Sequence, residues 1–144
     1  MKVEIKKLRE TAIIPSRGSE YAAGYDLFAN LDSPLVIPAQ TTVKIGTGLS
    51  VAIPAGYFGG VFARSGLASK QGLRPSNCVG CVDSDYRGEL IVALYNDSAE
   101  NQTINPNDRI AQLVVIPFLT VEFEETEELG ETVRGENGFG STGI

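Results

Sequence analysis

The clearest structural signal in the chain is Thr41-Thr42-Val43-Lys44-Ile45-Gly46-Thr47-Gly48-Leu49-Ser50-Val51-Ala52-Ile53-Pro54. Apolar and polar residues alternate along it with a period of two, which is typical of a strand with one buried and one exposed face. Pro54-Ala55-Gly56 follows as a turn signal. We therefore predict a half-buried strand or a bent pair of strands over this stretch.

Short apolar blocks recur along the rest of the chain, with breaks at Pro38, Pro54, Pro75 and Pro106. The blocks are Val3–Leu8, Tyr25–Phe28, Tyr57–Ala63, Leu90–Tyr95 and Ile110–Phe118. Many short strands joined by turns indicate an all-β fold, either an antiparallel sandwich, a jelly roll or a barrel. One short helix is predicted over residues 65–72, with Ser65 as its N-cap and Gly72 as the residue that ends it.

Length and composition limit the architecture and the chemistry. A chain of 144 residues corresponds to a single domain with one core. It contains no His, which excludes Ser-His-Asp and Cys-His catalysis, as well as zinc sites of the HExxH type. A general base must therefore be a carboxylate, Lys, Tyr or Cys.

The net charge of −6 is concentrated near the C-terminus. Six Glu lie between Glu122 and Glu131 with no Lys or Arg among them, whereas residues 1–121 carry 11 basic and 11 acidic residues. We interpret the acidic run as a solvated segment. A balanced body lacks the basic surface of a nucleic-acid-binding protein, so no direct nucleic-acid binding is expected.

No stretch of the sequence has the pattern of a leader or a membrane span. The first seven residues include no continuous apolar run, and the longest apolar stretch, Leu113–Leu119, is too short to cross a bilayer. We expect no membrane association and a cytoplasmic protein, or one of the host cytoplasm or nucleus if the chain is viral. Cys78-Val79-Gly80-Cys81 is a CxxC motif, but a zinc site needs two further ligands that the sequence lacks. We therefore predict two reduced thiols.

Three short motifs carry groups that suit phosphate chemistry. Asp83-Ser84-Asp85-Tyr86-Arg87-Gly88-Glu89 holds two carboxylates two residues apart, and they would share one face if the segment were a hairpin strand. Arg64-Ser65-Gly66 places a guanidinium and a hydroxyl at the predicted helix start, where backbone N–H groups are free. Asp108-Arg109-Ile110-Ala111-Gln112-Leu113 adds another Arg and an amide. Together they indicate a distributed anion site.

These residues resemble the five motifs of the trimeric dUTPases, in order and over the whole chain. The first four are Ala22–Leu27, Arg64–Ala68, Asn77–Gly88 and Asp108–Leu113, and the fifth is Arg134–Gly143. The resemblance implies a distorted jelly-roll domain over residues 1–129 with one short helix, and a mobile C-terminal arm over residues 130–144. It also implies a homotrimer whose active sites each combine three chains, with the arm closing over a neighbouring site.

The resemblance further implies a reaction. Asp83 is the expected general base for attack of water on the α-phosphorus of dUTP, which gives dUMP and pyrophosphate. This reaction limits uracil incorporation into DNA and supplies dUMP for dTMP synthesis. Mg²⁺ is the expected cofactor, bound to the three phosphates and mostly to water, with Asp26 as an outer-sphere contributor or as an orienter of a nearby Arg.

By the same resemblance, the substrate contacts divide into three groups. The uracil and the deoxyribose are contacted by Asn77, Gly80, Val82 and Tyr86, and Phe139 stacks on the uracil. The α- and β-phosphates are bound by Arg64, Ser65, Gly66 and Gln112. The γ-phosphate is bound by Arg134, Gly140, Ser141 and Thr142.

Two departures from the family pattern and two rival functions stay open. Asn107 and Asn137 replace the usual Gly, and Asn is the residue that best tolerates a left-handed backbone. Cys81 stands where an aliphatic residue is commoner. The first rival is a dCTP deaminase of the same fold. The second is a nucleotide-gated regulatory binding protein that does not catalyse a reaction.

Overall fold

The structure is a computed structural model that describes residues 1–136. It contains twelve strands and one helix within those residues. The strands are β1 (Glu4–Lys7), β2 (Ser16–Arg17), β3 (Tyr25–Phe28), β4 (Leu35–Ile37), β5 (Thr42–Gly46), β6 (Leu49–Ala52), β7 (Tyr57–Phe62), β8 (Leu73–Pro75), β9 (Gly80–Val82), β10 (Ile91–Asn96), β11 (Gln102–Ile104) and β12 (Arg109–Pro117). The helix, α1, is Ser65–Gln71.

The strands form four antiparallel sheets. The largest has five strands in the order β2-β3-β12-β7-β9, and a second has three in the order β5-β10-β8. Two further pairs, β1-β6 and β11-β4, complete the fold. Within residues 1–136 no sheet closes on itself, so the predicted all-β domain is confirmed as a jelly-roll-like arrangement of open sheets rather than a closed barrel.

One apolar core joins all four sheets. Alternate residues of β10 are buried, namely Val92, Leu94 and Asn96, as the period-two pattern requires. Val92 and Leu94 pack in one core with Leu27 from the large sheet and Ile37 from the β11-β4 pair. The described residues thus share a single contiguous core, as was predicted for a chain of this length.

The alternating stretch 41–54 forms a bent pair of strands, which is one of the two predicted alternatives. β5 and β6 are separated by Thr47 and Gly48, and Gly48 adopts a left-handed φ of 68°. A Cβ at Gly48 would lie 2.9 Å from the Cβ of Ala12, so glycine is required there for space as well as for conformation. The turn at Thr47 and Gly48, which we call the β5–β6 corner, contacts the segment between β9 and β10 that carries Asp83.

The helix begins at the residue that was predicted to be its N-cap. Arg64, with φ −87° and ψ 126°, is the N-cap, and it makes no capping side-chain hydrogen bond. Ser65 is the first helical residue, so its predicted role as N-cap is wrong. Gly72 ends the helix in a left-handed conformation with φ 67°, as predicted, and its N–H donates to the carbonyl of Ala68.

The last strand ends at Pro117, and residues 118–136 form no helix or strand. Several apolar side chains of this segment are largely exposed, among them Leu119, Phe123 and Leu129. Within residues 1–136, no helix has the length and the apolar character that crossing a bilayer requires. The division at residue 129 stays a prediction.

Candidate active site

The five-stranded sheet presents two chemically different faces. Cross-strand partners share a face and alternate along each strand. Leu27, Val61 and Leu113 point into the core, and Val82 of β9 lies on the same side because it pairs with Gly59. Asp26, Phe62 and Gln112 are paired across β3, β12 and β7, so they lie on the opposite, outer face.

A charged cluster is centred on Asp26 of β3. Its side chain is 13% exposed, and its Oδ1 accepts a hydrogen bond of 2.8 Å from Nε of Arg64. Its Oδ2 accepts a second hydrogen bond, at 3.3 Å, from a terminal nitrogen of Arg109. The Asp26 carboxylate thus holds the guanidinium groups of Arg64 and Arg109 together near the N-terminus of α1. Arg109 is 52% exposed, so it retains donors that face solvent.

Gln112 adjoins this cluster and is fixed by the backbone. Its Nε2 donates to the carbonyl of Ala63, at 2.8 Å, immediately before Arg64. A Cβ on Gly24 would overlap the Gln112 amide, so the first motif needs glycine there to make room for this side chain. Ser65 and Gly66 are exposed at the helix start, and nothing lies within 4 Å of a Cβ placed on Gly66. The structure therefore brings together Asp26, Arg64, Ser65, Gly66 and Gln112.

The segment between β8 and β9 crosses from one sheet to another. β8 pairs with β10, and β9 pairs with β7. β9 and β10 therefore lie in different sheets, so the hairpin considered for residues 83–89 does not form. The crossing is a tight turn in which Cys78 N–H donates to Pro75 O, and Cys78 adopts a φ of 63°. A Cβ on Gly80 would lie 3.4 Å from Nδ2 of Asn77, which places these two predicted substrate contacts side by side.

A cavity of about 230 Å³ opens beside β9. It is bounded by the core-facing side chains of Leu27 and Val61 and by the segment before and along β10. Its lining includes every predicted uracil and sugar contact that the structure describes, together with the predicted base: Asn77, Gly80, Val82, Asp83 and Tyr86. Such a concave, partly apolar site with a few polar groups suits a small planar ligand.

Asp83 follows β9 directly and is exposed at the cavity. The chain turns immediately after it, because Tyr86 N–H donates to the Asp83 carbonyl at 3.2 Å. Asp83 and Asp85 are thus not alternate residues of one strand, and the same-face argument made from a hairpin is wrong. The Cys81 thiol lies 3.9 Å from Oδ1 of Asp83. Both cysteines are free, as predicted, and both are exposed.

The remaining predicted residues belong to the fifth motif. Arg134 is exposed and lies in the described segment, whereas Phe139, Gly140, Ser141 and Thr142 lie outside the described residues, as does Asn137. Asn107 has a φ of 68°, which confirms that Asn occupies a left-handed position there. Arg109 was counted among the groups of a distributed anion site, but the family resemblance gave it no substrate contact. The register between β12 and β3 brings Arg109 beside Asp26.

Comparison with known proteins gives a consistent family assignment. The dUTPase family model matches residues 10–143. The deoxyuridine 5'-triphosphate nucleotidohydrolase of Desulfitobacterium hafniense is 48% identical over 147 residues, covering 100% of this chain and 97% of that protein.

Two solved phage structures are similar to the chain. The dUTPase of Staphylococcus bacteriophage 80alpha with dUPNHPP has a TM-score of 0.86 at 31% identity, covering 99% of each chain. A mutant dUTPase of S. aureus phage phi11, described for the coordination of a structural Mg(II) ion, has a TM-score of 0.78 at 29% identity. It covers 89% of this chain and 98% of its own.

Proposed function

The chain belongs to the dUTPase family, and we propose that it hydrolyses dUTP to dUMP and pyrophosphate. The observation that carries the proposal is the cavity beside β9, which is lined by Asn77, Gly80, Val82 and Tyr86 and has the Asp83 carboxylate on its wall. In this reaction a P–O bond forms between water and the α-phosphorus, and the α,β-anhydride bond breaks. Pyrophosphate leaves with the bonding electron pair.

Asp83 is the proposed general base. An exposed carboxylate that faces a cavity can accept a proton from a water molecule, and a chain without His depends on such a group. The turn that begins at Asp83 holds its backbone in place. The Cys81 thiol lies near Oδ1 of Asp83.

Base and sugar selection are assigned to the crossing turn and to Tyr86. Backbone groups of Gly80 and Val82 and the amide of Asn77 are proposed to pair with the uracil edge, since all three residues line the cavity. Direct pairing of this kind rejects analogues more strongly than an apolar pocket, which discriminates one methyl group by only about 1–3 kcal/mol. Tyr86 is proposed to lie against the deoxyribose and to exclude a 2′-hydroxyl, and Phe139 to stack on the uracil.

The phosphates are assigned to the charged cluster and to the fifth motif. Arg64, Ser65, Gly66 and Gln112 are proposed to bind the α- and β-phosphates. The γ-phosphate is assigned to the fifth motif, namely Arg134, Gly140, Ser141 and Thr142. We propose that residues 130–144 close over the bound nucleotide, which would exclude water from the reacting groups.

Mg²⁺ fits these residues as an ion held mainly by substrate phosphates and water. Among residues 1–136 no group of three or more His, Cys, Asp or Glu is placed to hold a metal. Asp26 is already engaged by two Arg, and its spare lone pairs suit contact through water. When bound, the ion supplies neutralisation of triphosphate charge.

The two faces of the large sheet support an active site shared between chains. The phosphate-binding cluster lies on the outer face, whereas the cavity beside β9 is bounded by core-facing Leu27, Val61 and Val82. A nucleotide whose base enters that cavity does not reach the cluster of the same chain through the sheet. We therefore propose a homotrimer in which a neighbouring chain supplies the cluster and a third supplies the arm.

The proposed reaction would limit uracil incorporation into DNA and supply dUMP for dTMP synthesis. We assign it to the cytoplasm, or to the host cytoplasm or nucleus if the chain is viral. No binding partner beyond dUTP and further copies of the chain is proposed.

Product analysis with dUTP, dTTP, dCTP and UTP, each with and without Mg²⁺, tests this function. We expect dUMP and pyrophosphate from dUTP, little turnover of the other three, and faster reaction with Mg²⁺. Ammonia released from dCTP would identify a deaminase instead. Tight binding of dUTP with no turnover of any nucleotide would favour the regulatory binding protein and would leave Asp83 without its role.

A further inference from the structure

The ring of Tyr86 rests on a glycine that has no room for a side chain. A Cβ built on Gly88 would lie 2.5 Å from Cζ and 2.9 Å from Cε2 of Tyr86, and closer still to its hydroxyl. Contacts this short do not occur between real atoms, so any larger residue at position 88 must displace the ring. Gly88 does not adopt a left-handed φ, which means that the constraint comes from the ring and not from the backbone.

The same ring is tethered at its tip. The Tyr86 hydroxyl donates a 3.0 Å hydrogen bond to the carbonyl of Glu89. We call the Gly88 backbone and this Glu89 carbonyl the Tyr86 seat. Gly88 leaves space for the ring, and the Glu89 carbonyl holds the hydroxyl end of the ring in place. Together they determine the position of the ring at the cavity.

The seat is in turn fastened to the β5–β6 corner. The Glu89 carboxylate accepts a 2.7 Å hydrogen bond from the N–H of Gly48. A Cβ on Gly46 would overlap this carboxylate, so the corner is shaped to receive it. The Ser50 hydroxyl donates to the carbonyl of Arg87 at 2.7 Å, which fixes the residue before the seat.

From these contacts we infer that the Tyr86 seat determines how strongly the enzyme discriminates between 2′-deoxyribose and ribose, with Glu89 and Gly88 as positioning residues. The inference rests on the proposed function, in which Tyr86 lies against the sugar. The Tyr86 ring can exclude a 2′-hydroxyl only while it stays at a fixed distance from the sugar. Displacement of the ring outward admits the ribonucleotide, and displacement inward obstructs the deoxyribonucleotide. Outward movement lowers the preference for dUTP over UTP, whereas inward movement lowers the affinity for both nucleotides.

The kinetic test compares Gly88→Ala with Gly18→Ala. Gly18 is exposed, and nothing lies within 4 Å of a Cβ placed there, so it is a matched control. We expect Gly88→Ala to lower the ratio of kcat/KM for dUTP to that for UTP by about 10–100-fold, the range that misplacement by about 1 Å produces. Gly18→Ala keeps the wild-type ratio. Equal ratios in the two variants of an active enzyme would overturn the inference.

Two further variants test the tether and its anchor. Tyr86→Phe removes the hydrogen bond to Glu89 and should lower the ratio by about fivefold, the shift that one ordinary hydrogen bond supports. Glu89→Ala removes the acceptor for Gly48 N–H and should lower the ratio, whereas Glu89→Gln keeps an acceptor oxygen and should restore most of it. A merely structural role for Glu89 would reduce stability and leave the ratio unchanged.

A readout that does not require turnover separates this inference from the proposed function. Crystal structures of the wild type, Gly88→Ala and Gly18→Ala report the position of the Tyr86 ring, and calorimetry with the non-hydrolysable imido analogues of dUTP and UTP reports the binding preference. If the wild type fails to hydrolyse dUTP, the proposed function fails while these measurements still decide the inference. An unmoved ring, or an unchanged binding preference, in Gly88→Ala would overturn it.

Discussion

Asp83→Asn should lower kcat for dUTP by about 10²–10⁴-fold, the usual contribution of a positioned general base. The substitution keeps the shape of the side chain and removes its ability to accept a proton. Asp83 is exposed at the cavity wall and makes no ion pair among the described residues, so the fold should be unaffected. Steady-state kinetics and calorimetric binding of a non-hydrolysable dUTP analogue check the result, and the affinity should change little.

Asp85→Asn is the control for this prediction. Asp85 lies two residues further along in the same turn and is exposed, but it does not line the cavity. We expect it to retain wild-type kcat to within about twofold, since it has no part in the proton transfer. Equal losses in both variants would indicate that the charge of the turn matters and that Asp83 is not the specific base.

Mixed trimers extend the Asp83 test to the shared site. A chain carrying Asp83→Asn and a chain that lacks residues 130–144 are each expected to be inactive alone. If the base and the arm of one site come from different chains, refolding the two together should restore measurable activity. Recovery should be absent if each chain builds a complete site by itself.

Asp26→Asn should have the second largest effect, on both activity and stability. The carboxylate is 13% exposed and joins Arg64 to Arg109, whereas an amide presents a donor where a guanidinium now donates. We expect kcat/KM for dUTP to fall by about 10–100-fold, because the cluster assigned to the phosphates loses its alignment. Loss of hydrogen bonds to a charged group should also lower the free energy of unfolding by about 1–3 kcal/mol.

Asp32→Asn is the matched control for Asp26. Asp32 also pairs with an Arg, at 2.7 Å from Arg9, but its side chain is 80% exposed. A surface pair of this kind contributes at most about 1 kcal/mol, and no effect on kinetics is expected. Urea unfolding and steady-state kinetics measure both variants. Normal kcat/KM in Asp26→Asn at saturating Mg²⁺ would contradict the role of Asp26 in aligning the two Arg.

Local pattern was sufficient to predict much of the fold. The period-two alternation through Val43, Ile45, Leu49 and Val51 predicted strand structure there, with the observed bent pair as one of two alternatives, because side-chain alternation follows directly from strand geometry. β3 was predicted with its observed bounds. The very short strands β2, β4, β8 and β11 were missed, since two or three residues do not establish a period.

The candidate site depended on contacts between distant parts of the chain. The partners of Asp26 lie 38 and 83 residues away, and only the register of β3, β7 and β12 brings them together. The family resemblance assigned substrate contacts to Arg64 and Gln112 but gave none to Arg109 or Glu89. Glu89 has no local signal for its role, because the Gly48 N–H that it accepts from lies 41 residues away in the turn between β5 and β6.

The hairpin prediction failed for a related reason. Residues 77–89 contain Asp, Gly and Asn, which are typical of turns, and composition does not reveal which neighbour a short strand pairs with. β9 pairs with β7, and β10 pairs with β5 and β8, so residues 83–89 cross between sheets instead of joining a hairpin. The same crossing forms one side of the cavity, so the feature that local reasoning missed is part of the candidate site.

Hydrolysis of dUTP in ¹⁸O-labelled water tests the central claim most directly, because it reports both the reaction and the phosphorus atom attacked. Mass spectrometry of the two products follows the label, and the Asp83→Asn variant gives the background. Attack on the α-phosphorus predicts one ¹⁸O in the phosphate of dUMP and none in pyrophosphate. Label in pyrophosphate would place the attack on the β-phosphorus, and absence of both products would contradict the proposed reaction itself.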